Sequence, residues 1–350
     1  MTRLRIVHVV DPDAPSAVRL CAAACARLPP EEFESIVLRR SAGSEWLAAT
    51  RVVRRLRAAP ADVVHLWDRW GVRRVGPLLG RRAALVCTVH APRRFDLWAD
   101  RLLERRTLRR ATTIVSHDPT VRAFELRRHG EQGHLARRWV VFPDGAERRS
   151  EADVAAAREA VRRELLIPTA APLLGVVCRQ TADKNVQDTI WIVALLRMLH
   201  DDVRAILVGE GPQHESLRRF ARQMRVDDRV CFYRGPSSAE RVIAALDVYV
   251  DAARWDGPAA AIDEAQAAGI PVACVDTPVR ARQIDVERSG FLFAEHDRAT
   301  LVRRLHALFA EPQRREAFSR HARLRADARP SLAVAAENYA AVYRRAAAGT

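Results

Sequence analysis

Short apolar runs alternate with stretches of helical periodicity along the whole chain. In the first half the apolar runs fall at 6–10, 35–38, 62–66, 84–87, 112–115 and 139–142. Patterns with apolar residues three and four apart lie between them, at about 16–28, 45–58, 97–108 and 121–128. The runs are unbroken rather than alternating, so both faces of each strand are buried. That is the signature of a parallel sheet covered by helices on both sides.

A charged, Ala-rich, helix-prone stretch spans 146–168, and the rhythm then starts again. Strands are expected at 173–177, 205–208, 230–233, 248–250, 272–275 and 290–293. Helices are expected at 187–199, 215–224, 239–246 and 259–268, and two long helical tracts at 299–322 and 331–346. Strand–helix repetition is the doubly wound α/β pattern. Two Rossmann-like domains are expected, 1–168 and 169–330, with the boundary at Leu166-Ile167-Pro168, followed by a C-terminal helix, 331–350. In such folds ligands lie beyond the carboxyl ends of the strands.

Composition narrows the class. At 350 residues the chain is long enough for two cores. No apolar run approaches the roughly 18 residues of a membrane span. The first apolar run is stopped by Asp11 and Asp13, too early for a signal-peptide core. Six cysteines, none in a CxxC pair, read as reduced thiols of a cytoplasmic protein, with Cys21 and Cys25 on one helix face. The net charge is +15, and residues 1–150 carry 29 Arg against 16 Asp and Glu. That half therefore suits an anionic partner. Lys184 is the single lysine of the chain, which makes it a candidate for a position where a compact ammonium serves better than a guanidinium, with chance survival in an Arg-biased chain as the other reading.

Three segments could carry chemistry. Gly175-Val-Val-Cys-Arg179-Gln-Thr-Ala-Asp-Lys184-Asn is a strand, a loop with two cations and a helix start. Cations beside a helix N-terminus suit a diphosphate, although a solvated charged loop has the same composition. Ile206-Leu-Val-Gly209-Glu-Gly211-Pro212 is a strand ending in a Gly-rich turn; it lacks a full GxGxxG and alone reads as a tight turn. Trp255-Asp256-Gly257-Pro258 leads into a helix holding Glu264, with Gly269 past its end. Taken singly, a capping Asp and a surface Glu would explain the last two carboxylates. Asp11-Pro12-Asp13 resembles a DxD metal motif only on paper, since it contains a proline and reads as a turn. The histidines show no zinc spacing, and His65 and His117 read as structural.

In this order and spacing the segments resemble glycosyltransferase family four, of the GT-B fold (glycosyl transferases group 1). The resemblance rests on Gly175, Arg179 and Lys184; on Gly209, Gly211 and Pro212; and on Asp256, Glu264, Ala265, Ala267, Gly269, Pro271 and Val272. Val230-Cys-Phe-Tyr-Arg-Gly235, Ser289-Gly290-Phe291-Leu292, Thr88-Val89-His90 and Phe142-Pro143-Asp144-Gly145 extend it over the chain, more strongly in the second half. It implies a retaining transfer of sugar from a UDP- or GDP-linked donor to a glycan or lipid-linked acceptor, with no cofactor and no essential metal. Arg179 and Lys184 would hold the donor diphosphate, Gly209 and Gly257 would let backbone approach it, and Glu264 would bind the ribose. His90 and Asp256 would serve the reacting centre. The first domain would face the acceptor, and the C-terminal helix would pack back on it.

The chain departs from the family at several places. Ala14-Pro15 stands where Gly-Gly is usual, Asp256 replaces a Glu, Ala259 a Gly, and Pro278-Val279 and Gln283 a Gly-Gly and a Glu. A non-catalytic GT-B descendant that binds a nucleotide or a partner is therefore a competing expectation. The basic helices around Arg51–Arg57 and Arg101–Arg110 leave three readings open: solvated faces, docking on an anionic membrane at the inner face of the plasma membrane, or nucleic-acid binding, which no recognition motif supports.

Overall fold

The computed structural model describes residues 3–90, 97–129, 133, 135–234, 238–254 and 259–349. The chain divides into two compact units, residues 1–145 with 330–350, and residues 146–329. In the first unit β1 (Leu4–Val10) leads to α1 (Pro15–Arg27), β2 (Phe33–Arg39), α2 (Glu45–Ala58) and β3 (Val63–Leu66). Next come β4 (Ala84–Thr88), α3 (Trp98–Leu108), β5 (Thr113–Ser116), α4 (Pro119–His129) and β6 (Trp139–Val141). All pairings are parallel, in the order β2-β1-β3-β4-β5-β6.

The second unit opens with α5 (Glu151–Glu164), then β7 (Leu173–Val177), α6 (Val186–Leu196), β8 (Arg204–Val208), α7 (His214–Gln223) and β9 (Val230–Tyr233). It continues with α8 (Ala239–Ala244), β10 (Val248–Asp251), α9 (Ala260–Ala267), β11 (Val272–Val275), α10 (Pro278–Gln283) and β12 (Gly290–Phe293), then α11 (Arg298–Ala310) and α12 (Pro312–Asp327). Its sheet is also parallel, ordered β12-β11-β10-β7-β8-β9. The last helix, α13 (Leu332–Ala348), belongs to the first unit and packs on α1.

Alternate side chains of each strand bury on opposite faces. In the first unit Ile6, Val10, Val63 and Val86 pack with Leu20, Ala24, Tyr339 and Tyr343 on one face. Val9, Val64, Leu85 and Cys87 pack with Ala49, Val52 and Leu108 on the other. This double burial is why the strands read as continuous apolar runs.

Three features differ from the sequence reading. The helical tract expected at 299–322 is broken at Glu311, and Pro312 starts a new helix, since proline cannot continue the hydrogen-bond ladder. Residues 71–75 form a π-helical turn where no element was expected. The stretch 146–168, expected to close the first domain, groups with the second unit. A buried ionic clamp accounts for that. Arg162 of α5 donates to Asp247 at 2.9 Å and to the carbonyls of Pro168, Thr169 and Ala171 at 2.9, 3.0 and 3.0 Å. Arg158 reaches the other oxygen of Asp247 at 2.6 Å. Asp247 also accepts the amide of Leu173, so α5 is bolted to the start of β7. A hydrophobic pattern cannot reveal such a clamp.

Removing Asp247 would leave the Arg162 guanidinium buried without its carboxylate. Asp247→Ala is expected to lower stability by about 3–5 kcal/mol, and Asp247→Asn by less because its oxygen still accepts. Denaturant unfolding of the three proteins checks this ranking.

Candidate functional site

In the second unit the chain runs outward from β7 to β8 and β9, then returns to β10, β11 and β12 on the other side. The strand order therefore reverses between β7 and β10, and the crevice at such a reversal is where α/β sheets hold ligands. The loop after β7 carries Arg179 and Lys184. The loop after β10 runs into residues 255–258, which include the expected Asp256 and Gly257 and lie outside the described residues.

The first loop is held by a residue that the sequence reading passed over. Gln180 is fully buried, and its side-chain amide donates to Gly209 O at 2.7 Å while its oxygen faces His214 Nδ1 at 2.8 Å. Its backbone accepts from Gln213 N at 3.0 Å and donates to Glu210 O at 2.9 Å. The Gly-rich turn after β8 is thus laid against the Arg179 loop. Gly209 sits at φ +115°, and a Cβ there would lie 2.1 Å from Cys178 O. At Gly211 a Cβ would lie 2.4 Å from Gln180 O. The two glycines are required by contact between two backbones, which a motif match alone cannot show.

Lys184 ends a single 3₁₀ turn, Ala182–Lys184, and Asn185 after it adopts φ +48°, a conformation asparagine tolerates better than most residues. The Asn185 side chain donates to Asp188 at 2.6 Å, and Arg298 pairs with the other oxygen of Asp188 at 2.6 Å. Arg254 N donates to Asp183 O at 3.0 Å, tying the loop after β10 to the turn that presents Lys184. Arg179 is exposed and Lys184 half-buried at the N-terminal end of α6. Two cations, a helix N-terminus and a backbone bent by glycine make a seat for a diphosphate.

Glu264 lies on α9, half-buried, two turns past residues 255–258. Beneath the start of that helix lies a buried polar network. Asp251 pairs with Arg280 at 2.8 Å, and Arg280 donates to Gln283 Oε1 at 3.1 Å. The Gln283 amide accepts from Ala259 N at 3.1 Å, donates to Ala259 O at 3.1 Å, and reaches Asp263 at 3.3 Å. Gln283 and Ala259, two of the departures from the family pattern, are therefore bonded to each other. A glutamate at 283 could not donate to Ala259 O or Asp263.

His90 lies in the first unit, just past β4. Its Nε2–H donates to Trp67 O at 2.8 Å, which leaves Nδ1 as the acceptor. Burial, aided by neighbouring His117, pushes its pKa down to about 3, so the ring is neutral near pH 7. His65 and His117 are bonded at both nitrogens, His65 to Tyr343 at 2.7 Å and Thr88 at 2.8 Å, His117 to Phe142 O at 3.0 Å and Tyr339 at 3.1 Å. Both act as struts between the sheet and α13, as expected of structural histidines. Asp11 and Asp13 are both bound by Arg40, and Asp13 N donates to Asp11 at 3.0 Å, so this segment is an ion-paired turn.

Residues 157–325, most of the second unit, match the family model of glycosyl transferases group 1. The second unit is a glycosyl transferases group 1 domain. The chain is 28% identical over 290 residues to a 2-deoxystreptamine glucosyltransferase of Streptomyces kanamyceticus, covering 76% of this chain and 73% of that protein. A sucrose-phosphate synthase from Thermosynechococcus elongatus superposes with a TM-score of 0.80 at 18% identity, covering 99% of this chain and 100% of the other. HepE of Anabaena in complex with UDP-glucose gives 0.79 at 17% identity, covering 97% and 99%. The fold is GT-B, with the family-four resemblance consistent with these matches.

The Gly209 turn offers a direct check on the loop packing. Gly209→Ala is expected to lower the melting temperature clearly, whereas Gly80→Ala, where a Cβ meets nothing within 4 Å, should leave it nearly unchanged. Equal melting temperatures would show that the two loops are not in backbone contact.

Proposed function

We propose that the chain is a glycosyltransferase that takes a sugar from a UDP-linked donor, with retention at the anomeric carbon. The observation that carries this reading is the placement of Arg179 and Lys184 at the strand-order reversal, beside the turn of Gly209 and the N-terminus of α6. The diphosphate sits against these two cations, which offset the charge that builds on the leaving group as the glycosidic bond breaks. Glu264 takes the ribose, and the backbone at Gly257 takes the phosphates. Asp256 and neutral His90 serve the reacting sugar. UDP is preferred to GDP because HepE holds UDP-glucose in its crystal structure.

Thermal stabilisation by UDP, GDP, ADP and their sugar conjugates tests the reading. UDP at about a hundred times its dissociation constant should add about 2.7 kcal/mol to wild type and nothing to Lys184→Ala. A shift that survives in Lys184→Ala contradicts the placement. No shift with any nucleotide favours a descendant that has lost donor binding.

The acceptor side is proposed to work at an anionic membrane, at the cytoplasmic face. Helix α3 buries Glu104 and Thr107 beside Leu108 yet exposes Trp98 and Leu102, at 76% and 54%, with Leu97 just before it at 73%. Glu104 turns inward because Arg69 and Arg73 pair with it. Trp98, Leu102, Arg101, Arg105 and Arg128 line a surface hollow of about 240 Å³. Tryptophan and leucine ringed by arginine suit the headgroup region of anionic lipid. Arg110 contributes less than its sequence suggests, since it donates to the carbonyls of Leu79 and Gly80 at 2.8 and 2.9 Å. Wild type is expected to float with phosphatidylglycerol vesicles and not with phosphatidylcholine. Trp98→Ala with Arg101→Ala and Arg105→Ala should abolish flotation, and undiminished flotation of that variant would overturn the proposal.

A further inference from the structure

On the first unit, away from the strand ends, Cys21 and Cys25 of α1 meet His8 of β1. The two sulfurs and a ring nitrogen of His8 lie within 4.8 Å of one another. Two cysteines and a histidine suggest a soft metal, but the surroundings of His8 argue against that. The Trp67 indole, which can only donate, gives its N–H to His8 Nδ1 at 3.0 Å. Neutral His8 therefore carries its proton on Nε2, the nitrogen that faces Ser35 Oγ at 3.3 Å. A metal-binding histidine normally donates from its second nitrogen, and here that nitrogen accepts. Binding a metal at Nε2 would require an imidazolate.

The same geometry suits a thiolate. The Cys25 sulfur has the Cys21 thiol and a ring nitrogen of His8 within 4.8 Å, and the Ser35 hydroxyl lies against that ring at 3.3 Å. Cys25 is partly exposed, whereas Cys21 is buried. We propose that Cys25 is a modification site, a thiolate held by Cys21, His8 and Ser35 that exchanges with low-molecular-mass disulfides. The Cys25 sulfur attacks one sulfur of the disulfide, a new S–S bond forms, the old one breaks, and the departing thiolate takes its electron pair and then a solvent proton. Cys21 stays a thiol. Closure between Cys21 and Cys25 is disfavoured because Cβ atoms four apart on a helix are about 5–6 Å apart, against about 3.5–4.5 Å in a disulfide.

Geometry and charge agree. The neighbouring Cys21 thiol first, then His8, lowers the pKa of the Cys25 thiol, while Cys25 and burial push that of Cys21 up. The groups facing the pair are His8 on β1, Ser35 on β2 and Tyr343 on α13, with Arg39 and Asp68 acting on Cys21. Cys178 and Cys231 are also half-buried and serve as internal references, and burial pushes the Cys231 thiol up.

The test is alkylation of the folded full-length chain by iodoacetamide, followed peptide by peptide by mass spectrometry from pH 5 to 9. Cys25 should react at least about tenfold faster than Cys178 and Cys231 at pH 6, with a rate that is flat above pH 6. Glutathione disulfide should add one glutathione, on the Cys25 peptide. His8→Gln and, independently, Cys21→Ala should move the Cys25 rate profile to higher pH. The proposal is overturned if the Cys25 rate climbs through pH 8–9 like an ordinary thiol, if Cys21 reacts first, or if purified protein holds stoichiometric zinc that shields Cys25.

Discussion

A parallel sheet wrapped on both faces by helices has only its strand ends to offer a ligand. Each unit of this chain is built that way, so its chemistry is confined to loops, and loops position nothing unless they are tied down. The ties are polar and buried. Gln180 joins the loops after β7 and β8, Asp188 fixes Asn185 at the start of α6, and the Gln283 amide grips the backbone of Ala259. Loss of any one would free a loop while leaving the apolar core intact. The site therefore depends on a few hydrogen bonds whose partners are shielded from water, where an unmade bond costs more than a made one contributes.

The strands were legible because double burial writes itself as uninterrupted apolar runs, and the observed strands fall on the expected ones within a residue or two. The helices were legible where an apolar stripe met a cap or a proline. What could not be read was the polar layer. Gln180, Asp188 and Gln283 sit among residues of ordinary composition, and only the folded chain shows that each satisfies two or more partners. The assignment of 146–168 failed for the same reason: Arg162 and Asp247 are 85 positions apart, and no local pattern links them. Gly209 and Gly211 were picked out by spacing, yet the reason for them, two backbones in contact, belongs to the fold.

The departures from the family pattern acquire a physical meaning in pairs. A glutamine at 283 can donate and accept at once, so it pins a peptide at Ala259 and caps the buried charge of Asp263. Arg280, held by Asp251, supports that amide from the other side. The substitutions stand in an arrangement whose members hydrogen-bond one another, which is compatible with a donor site that still works. The histidines divide similarly. His65 and His117 have both nitrogens committed to the scaffold, while His90 keeps a neutral ring with one committed nitrogen.

The central claim is that a nucleoside diphosphate is held by the second unit at the reversal between β7 and β10. Amide hydrogen exchange on the full chain, with and without UDP, tests it most directly. The account predicts slowed exchange in the segments that contain Arg179 to Asn185 and Gly209 to His214, with the first unit's β2 and α2 unchanged. Protection that appears only outside those two loops, at a UDP concentration that saturates binding, would contradict it.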